Sequence, residues 1–212
     1  MARLTEVQRE GRRGEILAAA LRCFSQNGFH NTTIADIVRE SGVSQGTFYL
    51  YFKTKDDVIA ALADDRSQSD ALVNAIAGAE ADPVIGLITL LDLHGRTLAD
   101  SQRADERRVA IQGWAEALRN EPIRQQLIAN TERVQQEIAR LIERGQRSGR
   151  FRTDAVPQGV ARALIALFQG LTLQTVWSGN FDAELTAKSI ENMVRGALAP
   201  LNAQGNTDRA RE

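Results

Sequence analysis

The chain has 212 residues, of which 43% are apolar and 5% aromatic, with 16 glycines and four prolines. This composition predicts a globular, helical protein of one large or two small domains. The single cysteine excludes an internal disulfide, and no apolar run approaches the roughly 18 residues of a membrane span. No secretory leader precedes the first predicted helix, so we expect a cytoplasmic protein.

The charge is unevenly distributed along the chain. The formal net charge of −1 and the pI of about 6.2 argue weakly against a nucleic-acid partner. Residues 1–55, however, carry eight basic and five acidic side chains, so the N-terminal segment is positive and the remainder is negative. A positive head on an acidic body is typical of a modular DNA-binding protein.

An apolar stripe defines the first predicted helix, which ends near a glycine-aromatic pair at Gly28. Cys23 lies on this stripe, so we interpret it as a small core residue and not as a redox sensor. Residues 33–55 then predict two short helices joined by a tight turn. Thr33 is the expected N-cap of the first, Gly42 its left-handed end, and Ser44 the cap of a helix from Gln45 to Phe52. This pattern indicates a helix-turn-helix motif, whose second helix enters the major groove.

The second helix of the motif has two chemically different faces. Phe48 and Phe52 share a face and should point inward, whereas Gly46, Thr47 and Leu50 should point outward. A missing side chain at Gly46 permits close approach to base edges, and the methyl group of Thr47 suits contact with thymine.

Tyrosine and lysine side chains flank this outward face. The hydroxyls of Tyr49 and Tyr51 and the ammonium of Lys55 are expected to donate to phosphates. The alternative for both tyrosines is that they are aromatic residues at the rim of the core.

Residues 28–55 read GFHNTTIADIVRESGVSQGTFYLYFKTK, and this segment resembles the DNA-binding domain of TetR/AcrR-type regulators. A leucine-tyrosine pair at residues 50–51 departs from the aromatic-histidine pair common in that family. The resemblance implies a dimer with an effector pocket in its C-terminal part. It also implies a set of DNA contacts, which comprises Thr33, Ser44, Gln45, Gly46, Thr47, Tyr49, Tyr51 and Lys55.

The rest of the chain predicts six more helices, and each of the four prolines falls at a predicted helix boundary. The predicted spans are residues 55–77, 83–100, 106–119, 122–147 (capped by Asn120), 157–178 and 182–200. We therefore expect an all-α fold of about nine helices. Its predicted parts are a helix-turn-helix domain over residues 1–55, a ligand-binding and dimerisation domain over 56–201, and a disordered tail over 202–212.

The helix predicted after Pro157 is apolar on too many sides to be covered by a single core. A second copy of the chain would cover the remaining side, with the last helix as its neighbour in the interface. A single intramolecular core is the alternative. The expected interface residues are Leu164, Leu167, Leu171, Ile190, Met193, Val194 and Ala197.

A small-molecule site is expected in the larger domain, as an apolar cavity with few polar groups. Its candidate lining residues are His94, Trp114, Phe168, Gln169 and Trp177, each of which is otherwise an ordinary core residue. The expected ligand is a hydrophobic or amphipathic effector.

Features of an enzyme are missing from the sequence. The two histidines lie far apart, neither has metal-ligand spacing, and no phosphate loop or nucleophile motif occurs. We expect no catalytic residues, metal or cofactor. The favoured function is a ligand-responsive, dimeric transcriptional repressor that binds double-stranded operator DNA. The alternatives are an activator of the same fold, or a helical interaction protein with a vestigial DNA-binding motif.

Overall fold

The computed structural model describes residues 6–63, 82–178 and 182–200, and within those ranges it contains nine α-helices and no strand. The helices are α1 (Glu6–Asn31), α2 (Ile34–Ser41), α3 (Gln45–Tyr51), α4 (Lys55–Ala63), α5 (Pro83–Ala99), α6 (Ala104–Glu116), α7 (Glu121–Arg147), α8 (Pro157–Trp177) and α9 (Ala183–Leu198). The all-α class and the helix order are confirmed. The second half of the helix expected over 55–77 and the tail from residue 202 lie outside the described residues.

Local signals in the sequence set most helix boundaries. Prolines occupy the first turns of α5 and α8, where a missing N–H costs no hydrogen bond. Asn120 accepts the N–H of Ile123 at 3.3 Å, and Asp182 caps α9 by accepting the N–H of Leu185 at 2.9 Å. Helix α6 begins two residues before the predicted start, because a 3₁₀ turn over Ser101–Arg103 leads into it.

The chain forms two compact units. The head unit comprises Met1–Arg66 and Gln102–Ala129, and the body unit comprises Ser67–Ser101 and Asn130–Glu212. This division differs from the predicted boundary after residue 55, because α4, α6 and the start of α7 belong to the head unit. Their buried side chains share one core with α1, α2 and α3, and these side chains are Val58, Ile59, Val109, Ala117 and Ile123.

The head core is built on α1. Phe24 is fully buried and meets the ring of Phe29 edge-on, with centroids 4.7 Å apart. Phe48 of α3 and Phe52, which follows α3, are 0% and 4% exposed, as their spacing predicted. Cys23 is a buried free thiol whose pKa is raised mainly by burial, so it is a neutral core residue as expected.

The body core joins α5, α7, α8 and α9. Four residues of α8 point into it, namely Ala161, Leu164, Phe168 and Leu171. Helix α8 is long and apolar enough to cross a membrane, which corrects the expectation that no segment reaches that length. Core helices of soluble proteins meet the same criterion, so one such helix is weak support for a membrane span.

A close contact in the body core gives a test of packing. A Cβ placed on Gly145 of α7 would lie 1.9 Å from Cδ2 of Phe151, whose ring is buried. We expect Gly145→Ala to destabilise the protein by about 1–3 kcal/mol, because the ring has to move within a packed core. Gly14→Ala on α1 is the control, since no described residue outside its own helix turn lies within 4 Å of its added carbon. Thermal unfolding should show a loss for the first variant and a small gain for the second; equal midpoints would contradict the packing argument.

Candidate DNA-binding and effector sites

The start of α2 is fixed by a reciprocal cap. The Asp36 N–H donates to the Thr33 hydroxyl oxygen at 3.2 Å, and the Thr33 N–H donates to the Asp36 carboxylate at 2.9 Å. Hydrogen bonds from the side chain and backbone of Thr33, and then from Arg39, lower the pKa of Asp36 to about 2. Asp36 is therefore ionised at neutral pH and holds the first turn of α2 in place.

The turn between α2 and α3 depends on Gly42. Its φ of 69° lies in the left-handed region, and its N–H donates to the carbonyl of Val38. Ser44 then caps α3, because its hydroxyl oxygen accepts the Thr47 N–H at 3.0 Å. The Ser44 and Thr47 hydroxyls lie 2.8 Å apart. The predicted helix-turn-helix geometry is therefore present.

Helix α3 exposes the face expected to read DNA. Gln45 and Gly46 are exposed, and Leu50 is 77% exposed. Tyr49 is 47% exposed with its ring edge-on to Phe48, so its hydroxyl end reaches solvent.

Three other predicted DNA-contact residues face solvent less fully. Thr47 is half-buried, and Tyr51 packs against the head core, as the rim alternative described. Lys55 is also half-buried, and its ammonium donates to the carbonyls of Phe29, His30 and Thr32. An ammonium has three N–H donors, so all are used inside the protein. Lys55 at the start of α4 therefore binds the backbone at and just after the end of α1. This structural role differs from the phosphate contact expected for Lys55.

Two of the five candidate effector residues meet in the body unit. The His94 ring stacks on the Phe168 ring, with centroids 4.1 Å apart and planes 28° apart. Burial lowers the pKa of His94 to about 4, and a hydrogen bond to the Phe168 backbone opposes this shift only in part. The ring is neutral at physiological pH, and its buried Nε2 has no hydrogen-bond partner among the described residues. Gln169, the next residue on α8, is half-buried.

The two tryptophans lie on different units. Trp114 lies on α6, which belongs to the head unit because Val109 of that helix and Ala117 just after it are buried in the head core. Trp177 is the last residue of α8 and is 74% exposed, so it lines no enclosed cavity of a single subunit. The body unit therefore brings together His94 and Phe168, and the role of Trp114 in an effector site stays a prediction.

An open apolar groove of about 500 Å³ runs between α8 and α9. Five of the seven predicted interface residues line it, namely Leu164, Leu167, Met193, Val194 and Ala197. Leu171 and Ile190 do not line it and are only 7% and 9% exposed, because they pack in the core of their own subunit. Among the described residues, no cluster of three or more His, Cys, Asp or Glu side chains could hold a metal ion.

Comparison with known proteins agrees with this architecture. Residues 16–62 match the model of "Bacterial regulatory proteins, tetR family", and residues 90–201 match that of "BetI-type transcriptional repressor, C-terminal". The uncharacterized regulator YfiR of Bacillus subtilis is 27% identical over 86% of this chain and 87% of its own length. The match to YvdT of Bacillus subtilis, at 43% identity, spans only 27% of this chain and 30% of that protein.

Solved structures share the same fold. A regulator from Saccharomonospora viridis, solved in complex with choline, is 28% identical with a TM-score of 0.77, over 90% of this chain and 98% of that one. A TetR regulator from Haloarcula marismortui is 26% identical with a TM-score of 0.75, over 90% of this chain and 99% of that one. Because the two family models together cover both the helix-turn-helix and most of the C-terminal helices, the chain belongs to the TetR/AcrR family of transcriptional regulators.

Proposed function

We propose that this regulator is a cytoplasmic, dimeric repressor that binds a palindromic operator and leaves it when a hydrophobic small molecule binds its body unit. The observation that carries the DNA-binding part is the exposed face of α3. Gln45, Gly46 and Leu50 are exposed on a helix whose Phe48 is buried and whose first turn is capped by Ser44. The family match to a repressor C-terminal region supports repression over activation.

The DNA contacts divide into two kinds. Gln45, Gly46 and Thr47 are assigned to base edges, because a glutamine amide and a threonine methyl suit major-groove readout. Thr33, Ser44, Tyr49 and Tyr51 are assigned to phosphates, which position the protein without reading sequence. Lys55 is left out of both sets, because its ammonium is engaged with three carbonyls.

The two kinds of contact should respond differently to substitution. Gln45→Ala should weaken binding to a selected operator by about 1–3 kcal/mol and relax its sequence preference. Tyr49→Phe should weaken all sequences alike, because only a phosphate donor is lost. Fluorescence anisotropy with an operator selected from random DNA, and with unrelated DNA, measures both effects. Gln136→Ala, exposed on α7, is the control; a wild type that prefers no sequence would contradict DNA-binding regulation altogether.

The open groove between α8 and α9 supports the dimer. A second copy seated on it would cover Met193, which is 58% exposed in the single chain. To enter successive major grooves, the two copies of α3 in a two-fold dimer must lie roughly 34–36 Å apart. Such a dimer explains why the operator is expected to be palindromic.

Met193→Arg tests this interface without disturbing the subunit core. An unpaired charge in a buried interface should cost on the order of 3 kcal/mol, which weakens dimerisation about a hundredfold. Asn192→Arg, one residue away and exposed, is the matched control. Sedimentation velocity should give a monomer for the first variant and a dimer for the second. Leu171→Arg is a poor test, because Leu171 is buried within its own subunit; a wild type that is monomeric at micromolar concentration would refute the dimer.

The pair of His94 and Phe168 supports an effector site in the body unit. In the neutral tautomer that carries its proton on Nδ1, Nε2 is a buried acceptor without a partner among the described residues. Such an acceptor favours an apolar ligand with one hydrogen-bond donor, because an unpaired buried polar atom is costly. A ligand releases DNA only if it binds the two states of the protein differently. The usual coupling is about 1–3 kcal/mol, or roughly 5- to 150-fold in DNA affinity.

A matched pair of probes tests the role of His94. The alcohol 1-decanol has a donor that 1-methoxydecane lacks, so it should raise the melting temperature more and release the operator at lower concentration. His94→Phe should keep the stack on Phe168 and abolish the difference between the probes, whereas Gln174→Ala, exposed on α8, should not. Choline is the third probe, because the Saccharomonospora viridis neighbour was solved with it. If choline releases the operator DNA and neither decyl probe does, the effector belongs to the quaternary ammonium class and not to the hydrophobic class.

A further inference from the structure

Helix α1 is interrupted before it ends. Gly28 has φ 78° and ψ 162°, which is not helical, although helical residues continue to Asn31. A glutamine side chain from α6 spans this break. Gln112 Nε2 donates to the carbonyl of Phe24 at 3.0 Å, and Gln112 Oε1 accepts the N–H of Phe29 at 3.0 Å. The side-chain amide of Gln112 therefore bonds to the backbone both before and after the break.

The segment after the break leads directly into the DNA-binding motif. The Thr32 hydroxyl donates to the carbonyl of Gly28 at 2.8 Å, and Lys55 donates to three carbonyls of the same segment. The next residue, Thr33, is the N-cap of α2. The path of residues 28–32 therefore sets where α2 begins, and through the Gly42 turn it sets where α3 lies.

Polar contacts on either side of Gln112 also join α1 to the α6 region. The Ser25 hydroxyl donates to the Asp105 carboxylate at 2.5 Å, and His30 Nε2 lies 2.9 Å from Nη2 of Arg119. These are contacts between side chains, and those of His30 are exposed. Gln112 differs because it is half-buried and bonds to the backbone at the break.

We propose that Gln112 is a positioning residue for DNA binding, which fixes the interrupted end of α1 and thereby the placement of α2 and α3. The proposal rests on the DNA-binding function proposed above. The hydrogen bonds of Gln112 join the two regions that the family models match. Gln112 lies within residues 90–201, and its partners lie within residues 16–62. A residue from the C-terminal match therefore completes the DNA-binding unit.

Two variants separate the two hydrogen bonds of the amide. Gln112→Leu removes both, whereas Gln112→Glu keeps an acceptor for the Phe29 N–H and loses the donor to Phe24. Gln125→Leu is the control, because Gln125 is exposed, lies in the same unit and bonds to Glu121 of its own helix. The readouts are binding to a selected operator and to unrelated DNA, thermal unfolding, and hydrogen exchange of backbone amides by NMR.

We expect Gln112→Leu to weaken operator binding about tenfold, the order of one or two lost hydrogen bonds, with less than a twofold change on unrelated DNA. Amide exchange should quicken at Phe29 and in α2 and α3. Gln112→Glu should retain protection at Phe29 and lose less operator affinity, and Gln125→Leu should match the wild type.

Other results would overturn the proposal. A Gln112→Leu protein that melts lower but keeps its preference for the operator and its exchange pattern in α2 and α3 would show that Gln112 only adds stability. If Gln112→Leu does not fold, Gln112→Glu decides, and wild-type behaviour of that variant at α2 and α3 refutes positioning. If the wild type prefers no DNA sequence, the proposed function fails. The exchange pattern then still judges whether Gln112 places α2 and α3.

Discussion

Helices of eight and seven residues do not persist alone in water, because nucleation is costly and few hydrogen bonds repay it. Helices α2 and α3 are that short, so they depend on burying their apolar faces in the head core. Ile37 and Phe48 are fully buried for this reason. The exposure of Gly46 and Leu50 follows from the same constraint, since a short helix with one side buried must present its other side to solvent.

The constraint extends beyond the helix-turn-helix. Three short or interrupted helices do not enclose a core around Phe24, and the head unit closes it with Val58 of α4, Val109 of α6 and Ile123 of α7. The boundary between the two family-model matches therefore does not coincide with the boundary between compact units. A DNA-binding segment cut after residue 55 would expose apolar side chains that these helices cover.

Features governed by neighbours in sequence were predictable. The caps at Thr33, Ser44 and Asn120, the left-handed Gly42 and the prolines that begin helices all act within four residues, and the structure has each of them. These local signals predict where most of the helices begin and end from the sequence alone.

Features governed by distant neighbours were not predictable in the same way. Lys55 bonds to carbonyls more than 20 residues away, and Gln112 bonds to backbone more than 80 residues away. Nothing in their local patterns distinguishes them from other polar helix residues. The pattern on α6 likewise does not say which core the helix joins, and its Val109 is buried in the head core. The sequence showed that α8 carries more apolar residues than one core can cover. It did not show which of these residues face the core of the same subunit.

The burial of Cys23 has a practical consequence. It is the only cysteine in the chain, and its thiol is both covered and held neutral by a raised pKa. Thiol-directed reagents attack the thiolate at accessible sites, so the native protein is chemically silent towards them. A cysteine introduced at Leu50, which is 77% exposed on α3, would then carry a spin label or dye without background. Labels at this position would report the distance between the α3 helices of two assembled copies in solution, and any change in that distance when a small molecule is added.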